Sequence, residues 1–192
     1  MIAIEPSDAL LVVDIQNDFC PGGTLAVRGG DELPALVNAI SGRFHVKVFT
    51  RDWHPANHCS FSDEPEWVDG SWPAHCVQNT PGAAFHAGLV VPEGAIIVDK
   101  ATDPARENYS DFEGTGLADK LRMEGVKRLF ICGIATDYCV KANALDSIAG
   151  GFDAVLLIDA CRAVDVPQGS GESAIGEMAQ AGVKIYRTGD LR

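Results

Sequence analysis

The sequence predicts an α/β fold in three layers: a mainly parallel, six-stranded, doubly wound sheet with helices on both faces. Three observations predict it. Short, continuous apolar runs recur along the 192 residues, and continuous rather than alternating runs mark strands buried on both faces. Amphipathic helical segments fall between these runs, the alternation of a parallel sheet with crossover helices. Finally, reactive side chains cluster just past the predicted carboxyl ends of the strands, where such sheets bind ligands.

The elements follow in order. Ala9 to Val13 is the first strand and ends at Asp14. Polar and glycine-rich sequence, Gln16-Asn17-Asp18 and Pro21-Gly22-Gly23, makes a long loop after it. Leu33, Leu36, Val37 and Ile40 keep helical spacing. Val46 to Thr50 is the second strand. From Arg51 to about Glu93 the pattern breaks into a proline-, tryptophan- and histidine-bearing stretch, and an irregular segment this long inside a compact domain is usually functional. Ala95 to Val98 is the third strand and ends at Asp99-Lys100. A loop past Tyr109 leads to a helix with Leu117 and Leu121 inward, which stops at Gly125. Leu129 to Cys132 is the fourth strand. After Gly133-Ile134-Ala135-Thr136-Asp137-Tyr138-Cys139-Val140, a helix presents Val140, Ala144 and Ile148 on one face. Ala154 to Ile158 is the fifth strand, a helix carries Ile175, Met178 and Ala179, and Val183 to Tyr186 is the sixth. With no repeat and no composition break, residues 1–192 read as one domain with an irregular insertion at about 51–93.

Composition narrows the function. Apolar residues make up 46 % and charged residues 22 %, ordinary for a soluble globular protein. The net charge is −12, with 15 basic residues scattered along the chain, so neither nucleic acid nor an anionic membrane is an expected partner. No apolar run nears the roughly 18 residues of a membrane span, and the first residues lack a signal-peptide pattern. A cytoplasmic location is the expectation. Oligomeric state is left open, a homo-oligomer included. Cysteines at 20, 59, 76, 132, 139 and 161 include no Cys-x-x-Cys pair and read as free, catalytic or metal-linked rather than as a disulfide framework. Redox sensitivity of Cys20, Cys59 and Cys76 is not legible.

The chemistry centres on Cys139. A thiol closing a strand-to-helix turn meets unpaired backbone N–H groups and the positive end of the helix dipole, both of which favour the thiolate. Taken alone, Cys139 is equally a small apolar side chain packed where helix meets sheet. Asp14 supplies a base that could take the thiol proton, and Lys100 a cation to hold the charge. Asp52-Trp53-His54, followed by His58 and by His75 in Trp72-Pro73-Ala74-His75, has the composition of a metal site: imidazoles plus a carboxylate suit Zn²⁺, or a divalent iron or manganese ion. A polar loop with hydrogen-bonded histidines is the plainer alternative. Phe19, Trp53, Trp72, Tyr109 and Tyr138 fall in loops at the same edge, consistent with a pocket for a flat ring.

Together these residues resemble a known family. Val13-Asp14-Ile15-Gln16-Asn17-Asp18-Phe19, Asp52-Trp53-His54-Pro55, Ser71-Trp72-Pro73-x-His75-Cys76, Lys100 and the Gly133–Val140 stretch look like the isochorismatase-like cysteine hydrolases, over essentially the whole chain. The metal frame points within that family to the members that hydrolyse nicotinamide and pyrazinamide. The resemblance implies a catalytic triad of Asp14, Lys100 and Cys139. It implies one divalent metal, Zn²⁺ first and Fe²⁺ or Mn²⁺ as alternatives, held by Asp52, His54 and His75 with His58 as a further candidate ligand. It also implies an oxyanion hole from the Ala135 and Cys139 N–H groups beside a cis Ile134–Ala135 bond, and a nicotinamide pocket formed by Phe19, Trp72, Tyr109, Ile134 and Tyr138. The expected reaction releases nicotinate and ammonia through a cysteine thioester, in pyridine nucleotide salvage. The competing expectations are another amidase of the family, acting for example on ureidoacrylate, the family's vinyl-ether hydrolysis without a covalent cysteine, a metal-dependent hydrolase with a structural Cys139, and a non-catalytic binding member.

Overall fold

The computed structural model describes residues 1–67 and 70–192. Six strands form the sheet: β1 (Asp8–Val13), β2 (Val46–Asp52), β3 (Ile96–Lys100), β4 (Arg128–Ile134), β5 (Asp153–Arg162) and β6 (Lys184–Tyr186). Among the described residues, four α-helices lie between strands: α1 (Leu33–Ser41), α2 (Leu117–Met123), α3 (Lys141–Ala149) and α4 (Ser170–Gln180). The strand order is β3-β2-β1-β4-β5-β6, and every neighbouring pair is parallel.

The chain therefore winds outward from β1 through β2 to β3, then restarts at β4 and winds the other way. By the right-handed rule for parallel crossovers, this order assigns α1 to one face of the sheet and α2, α3 and α4 to the other. The reversal lies between β1 and β4, paired in register from Asp8 with Arg128 to Val13 with Gly133. At a reversal the two following loops diverge and leave a crevice; here they carry Asp14 and Cys139. The strands around the crevice are the core: Leu10, Leu11, Phe49, Phe130 and Ile131 are all fully buried. Gly133 is required at this junction, because its φ is +124° and a Cβ there would stand 2.0 Å from the Val13 carbonyl oxygen.

Several boundaries differ from the sequence reading, and those that bear on the site are these. Asp52 and Lys100 are the last residues of β2 and β3, paired with each other, rather than residues just past the strand ends. β5 continues past Ile158 to Arg162, because its register with β4 shifts between Ile131 and Gly133; an irregularity of this kind breaks the apolar run without ending the strand. Between β4 and α3 a single π-turn spans Thr136–Val140, so Cys139 lies within a turn wider than an α-helical one. Among the described residues, no helix is long and apolar enough to cross a membrane.

Candidate active site and metal centre

The carboxyl edge of the sheet brings the predicted groups together. Lys100 is buried, and its Nζ donates a short hydrogen bond to Asp14 Oδ2. The same ammonium stands 2.8 Å from Asp52 Oδ1 and 3.8 Å from Asp111 Oδ1. Thr50 Oγ1 donates to the other Asp14 oxygen at 2.7 Å. One Asp14 oxygen, one Asp52 oxygen and Cys139 Sγ lie within 4.8 Å of one another. Asp14 adopts φ +49° at the end of β1 and Ala101 φ +53° after β3, left-handed conformations that concentrate at functional sites.

Burial sets the electrostatics. It pushes the Asp14 carboxyl up, with Lys100 opposing. Burial pulls the Lys100 amine down, but Asp111, Asp14 and Asp52 outweigh it and hold the ammonium well above its ordinary value. Asp52 is the reverse case: burial raises it, and Lys100 and then His54 bring it well below the usual carboxylate range. Cys139 departs from expectation. Burial, with Asp52, Asp14 and Asp111 adding to it, pushes the thiol well above its ordinary value in spite of Lys100. The helix dipole and one lysine do not dominate in so dry and acidic a setting.

A second cluster adjoins the first. Asp52 Oδ2 is 3.6 Å from His54 Nε2 and 4.0 Å from His75 Nε2. Ligands about 2.1 Å from a tetrahedral Zn²⁺ stand roughly 3.4 Å apart, so the cluster fits a divalent ion after a small contraction. His75 Nδ1 is 2.8 Å from the Pro73 carbonyl oxygen, a bond it makes as a donor, which leaves Nε2 as the ligand atom. His54 is 1 % exposed, and neither of its ring nitrogens has a hydrogen-bond partner. A buried imidazole without partners is costly, and a cation would satisfy it. His58 differs: its Nδ1 lies 2.8 Å from Ser60 Oγ and its Nε2 3.1 Å from the Arg106 carbonyl oxygen. Its ring packs 4.2 Å from that of His54, and it groups with His54 and Glu107 rather than with Asp52 and His75.

Backbone pairing of the irregular segment builds this frame. His54 N donates to Cys76 O at 3.1 Å and Gln78 N to His54 O at 2.8 Å, which seats the two histidine segments side by side. Gln16, fully buried, donates to the Asp52 and Ala83 carbonyls and accepts from Asp52 N. Asp18 accepts from Cys76 N at 2.7 Å. Both residues belong to the quoted Asp14–Phe19 stretch, whose bracing role had no signal in residue type.

Phe19, Trp72, Tyr109, Tyr138, Ala135 and Cys139 line one cavity with Asp52, His54 and His75. Trp72 packs edge-on to Tyr138 with centroids 5.0 Å apart, and its Nε1 donates to the Tyr109 hydroxyl at 3.1 Å. Two expected pocket residues lie elsewhere. Trp53 stacks beneath the Arg51 guanidinium, 4.1 Å from the ring centroid, because β2 extends further than expected and turns it away. Ile134 is buried, and its Cδ1 sits against Gly30. The Ile134–Ala135 bond is cis. Glu107 and Val164 also line the cavity, and no sequence signal singled them out.

Fold and site define the class: a doubly wound, parallel α/β protein in which a buried cysteine, an acid and an ammonium adjoin a divalent-metal donor set. The chain belongs to the isochorismatase family, since the model of the isochorismatase domain matches residues 8–190. It is similar to the nicotinamidase of Acinetobacter baylyi, 39 % identical with 92 % of this chain and 90 % of that protein covered. It is similar in structure to the pyrazinamidase of Pyrococcus horikoshii in complex with zinc (47 % identity, TM-score 0.85, 95 % and 99 % of the two chains). The PnC1 protein of L. infantum in complex with nicotinate is a further likeness (37 % identity, TM-score 0.89, 100 % and 98 % of the two chains).

Proposed function

We propose that this chain is a nicotinamidase, hydrolysing nicotinamide to nicotinate and ammonia, and pyrazinamide to pyrazinoate, so that it feeds pyridine nucleotide salvage. The observation that carries the reading is the convergence of Cys139 with Asp52, His54 and His75 on one aromatic-walled cavity, with the buried Asp14–Lys100 pair adjoining Asp52 and Asp14 adjoining Cys139. The relatives named nicotinamidase and pyrazinamidase support it. Residues 1–192 act as one domain, with segment 51–93 supplying metal and substrate contacts. Its free cysteines accord with the reducing cytoplasm.

Asp52, His54 and His75 would hold one divalent ion, for which two imidazoles and a carboxylate favour Zn²⁺. Bound there, it would supply a Lewis acid for the pyridine nitrogen and positive charge that favours the nearby thiolate. Phe19 and Trp72 flank the ring. Asp14, made more basic by burial, takes the Cys139 proton. The sulfur attacks the carboxamide carbon, and the Ala135 and Cys139 N–H groups receive the developing oxyanion. Asp14 returns the proton to nitrogen, the C–N bond breaks, and ammonia leaves a thioester. Asp14 then draws a proton from water, which attacks the thioester carbon. The C–S bond breaks, nicotinate departs and the thiol is restored. Lys100 holds Asp14 in place and balances the charge throughout.

Ammonia release from nicotinamide, pyrazinamide and linear amides tests the substrate. Mass spectrometry of quenched turnover tests the route: the expected result is a nicotinoyl adduct on Cys139. Measurable turnover by Cys139→Ala sinks the covalent reading.

A further inference from the structure

Asp111 lies in the loop between β3 and α2, wholly buried, and the catalytic scheme above leaves it unused. Its Oδ2 accepts a hydrogen bond from Asn143 Nδ2 at 2.7 Å, and its backbone N–H donates to Asn143 Oδ1 at 3.1 Å. The same Asn143 Nδ2 donates to the Cys139 carbonyl oxygen at 2.9 Å. Ser147 Oγ donates to the Asn143 carbonyl at 2.7 Å and completes a buried polar row along α3. Asp111 Oδ1 has no hydrogen-bond partner and stands 3.8 Å from Lys100 Nζ.

A clasp that only fastened this loop to α3 would not need a charge-bearing group, because an amide in place of the carboxyl could still accept from Asn143. Burying a carboxyl with one bare oxygen costs free energy, and among the described residues the cation that oxygen approaches is Lys100. We propose that Asp111 is a positioning residue for the chemistry at Cys139. One carboxyl oxygen steadies the Lys100 ammonium, and the other, through Asn143, fixes the Cys139 carbonyl, so that cation and nucleophile turn are held as one unit. This rests on the amidase reading above.

The test uses the metal-loaded full chain, with steady-state kinetics on nicotinamide and thermal unfolding of each variant. Asp111→Asn keeps the shape and the bond from Asn143 but removes the charge facing Lys100. It is expected to lose kcat at least ten-fold with KM within about two-fold, since small misplacements of reacting groups cost that much. Asp111→Glu keeps a carboxyl facing Lys100 and is expected to recover most of the lost kcat. Parent-like kcat in Asp111→Asn overturns the proposal, and so does an Asp111→Glu variant that folds with kcat no higher than that of Asp111→Asn. If Asp111→Asn does not fold, Asp111→Ser, which leaves room for a water beside Asn143, takes its place by the same criterion. Failure of the amidase reading looks different: the parent chain turns over no amide, or Cys139→Ala remains active, and the proposal then falls with it.

Discussion

Replacing Lys100 by Met isolates the group on which the site's electrostatics turn. The ammonium is buried and faces Asp14, Asp52 at 2.8 Å and Asp111 at 3.8 Å. Met keeps most of the volume, so the main effect is three carboxyls left buried without their cation. Removing one partner of a buried ion pair costs roughly 3–5 kcal/mol. At about 2–4 °C per kcal/mol for a chain of this size, the unfolding midpoint falls by about 6–20 °C. The loss depends on pH with a fixed sign. Burial already raises Asp14 above its ordinary value, and Asp111 up to about 7. A carboxyl raised in the folded state favours folding when protonated, so its contribution declines as pH rises from its unfolded value through the folded one. Without Lys100 both values move further up, and the penalty at neutral pH grows. The deficit of the variant is therefore expected to be larger at pH 8 than at pH 5. Circular dichroism melts on metal-free protein across that range read it directly, without metal binding adding its own linkage. A fall below about 2 °C, or a deficit equal at both pH values, refutes the electrostatic account.

Three further predictions follow from the geometry. His54→Ala is expected to drop bound metal from about one ion per chain to less than one-tenth, whereas His58→Ala keeps the metal and loses about 1–3 kcal/mol of stability with its two hydrogen bonds; metal analysis after dialysis separates them, and equal metal loss in both variants makes His58 a ligand. Gly133→Ala forces a Cβ to within 2.0 Å of the Val13 carbonyl oxygen; the expected cost exceeds about 4 kcal/mol, and an unfolding midpoint near the parent's would mean that β1 and β4 part easily. Tyr109→Phe deletes the acceptor of the Trp72 Nε1 bond, 3.1 Å long, so KM for nicotinamide is expected to rise about five-fold with kcat little changed; a kcat loss at constant KM would place Tyr109 in the chemistry instead.

The legible part of the site was legible for physical reasons. Asp14, Asp52, Lys100 and Cys139 each follow or end an apolar run, and a parallel sheet gathers all strand ends of one polarity on one edge. His54 and His75 carry donor types with few other uses at that density. Asp111, Asn143 and Ser147 left no such trace. A buried polar residue has the same letter as a solvated one, and only packing reveals that α3 hides a polar row behind the nucleophile. Trp53 illustrates the converse, since two more residues in β2 turned its side chain from the pocket to Arg51.

The sequence by itself determined the alternation of strands and helices, hence the parallel sheet, and the inventory of groups at its carboxyl edge. Those follow from apolar periodicity and residue chemistry, which are local. The tertiary structure decided which groups share an environment: Lys100 among three carboxyls, Cys139 raised rather than lowered, His58 satisfied by Ser60 and Arg106 while His54 stays bare. Burial and charge proximity are properties of the folded whole. They reverse local expectations wherever desolvation outweighs a neighbouring dipole or a single opposite charge.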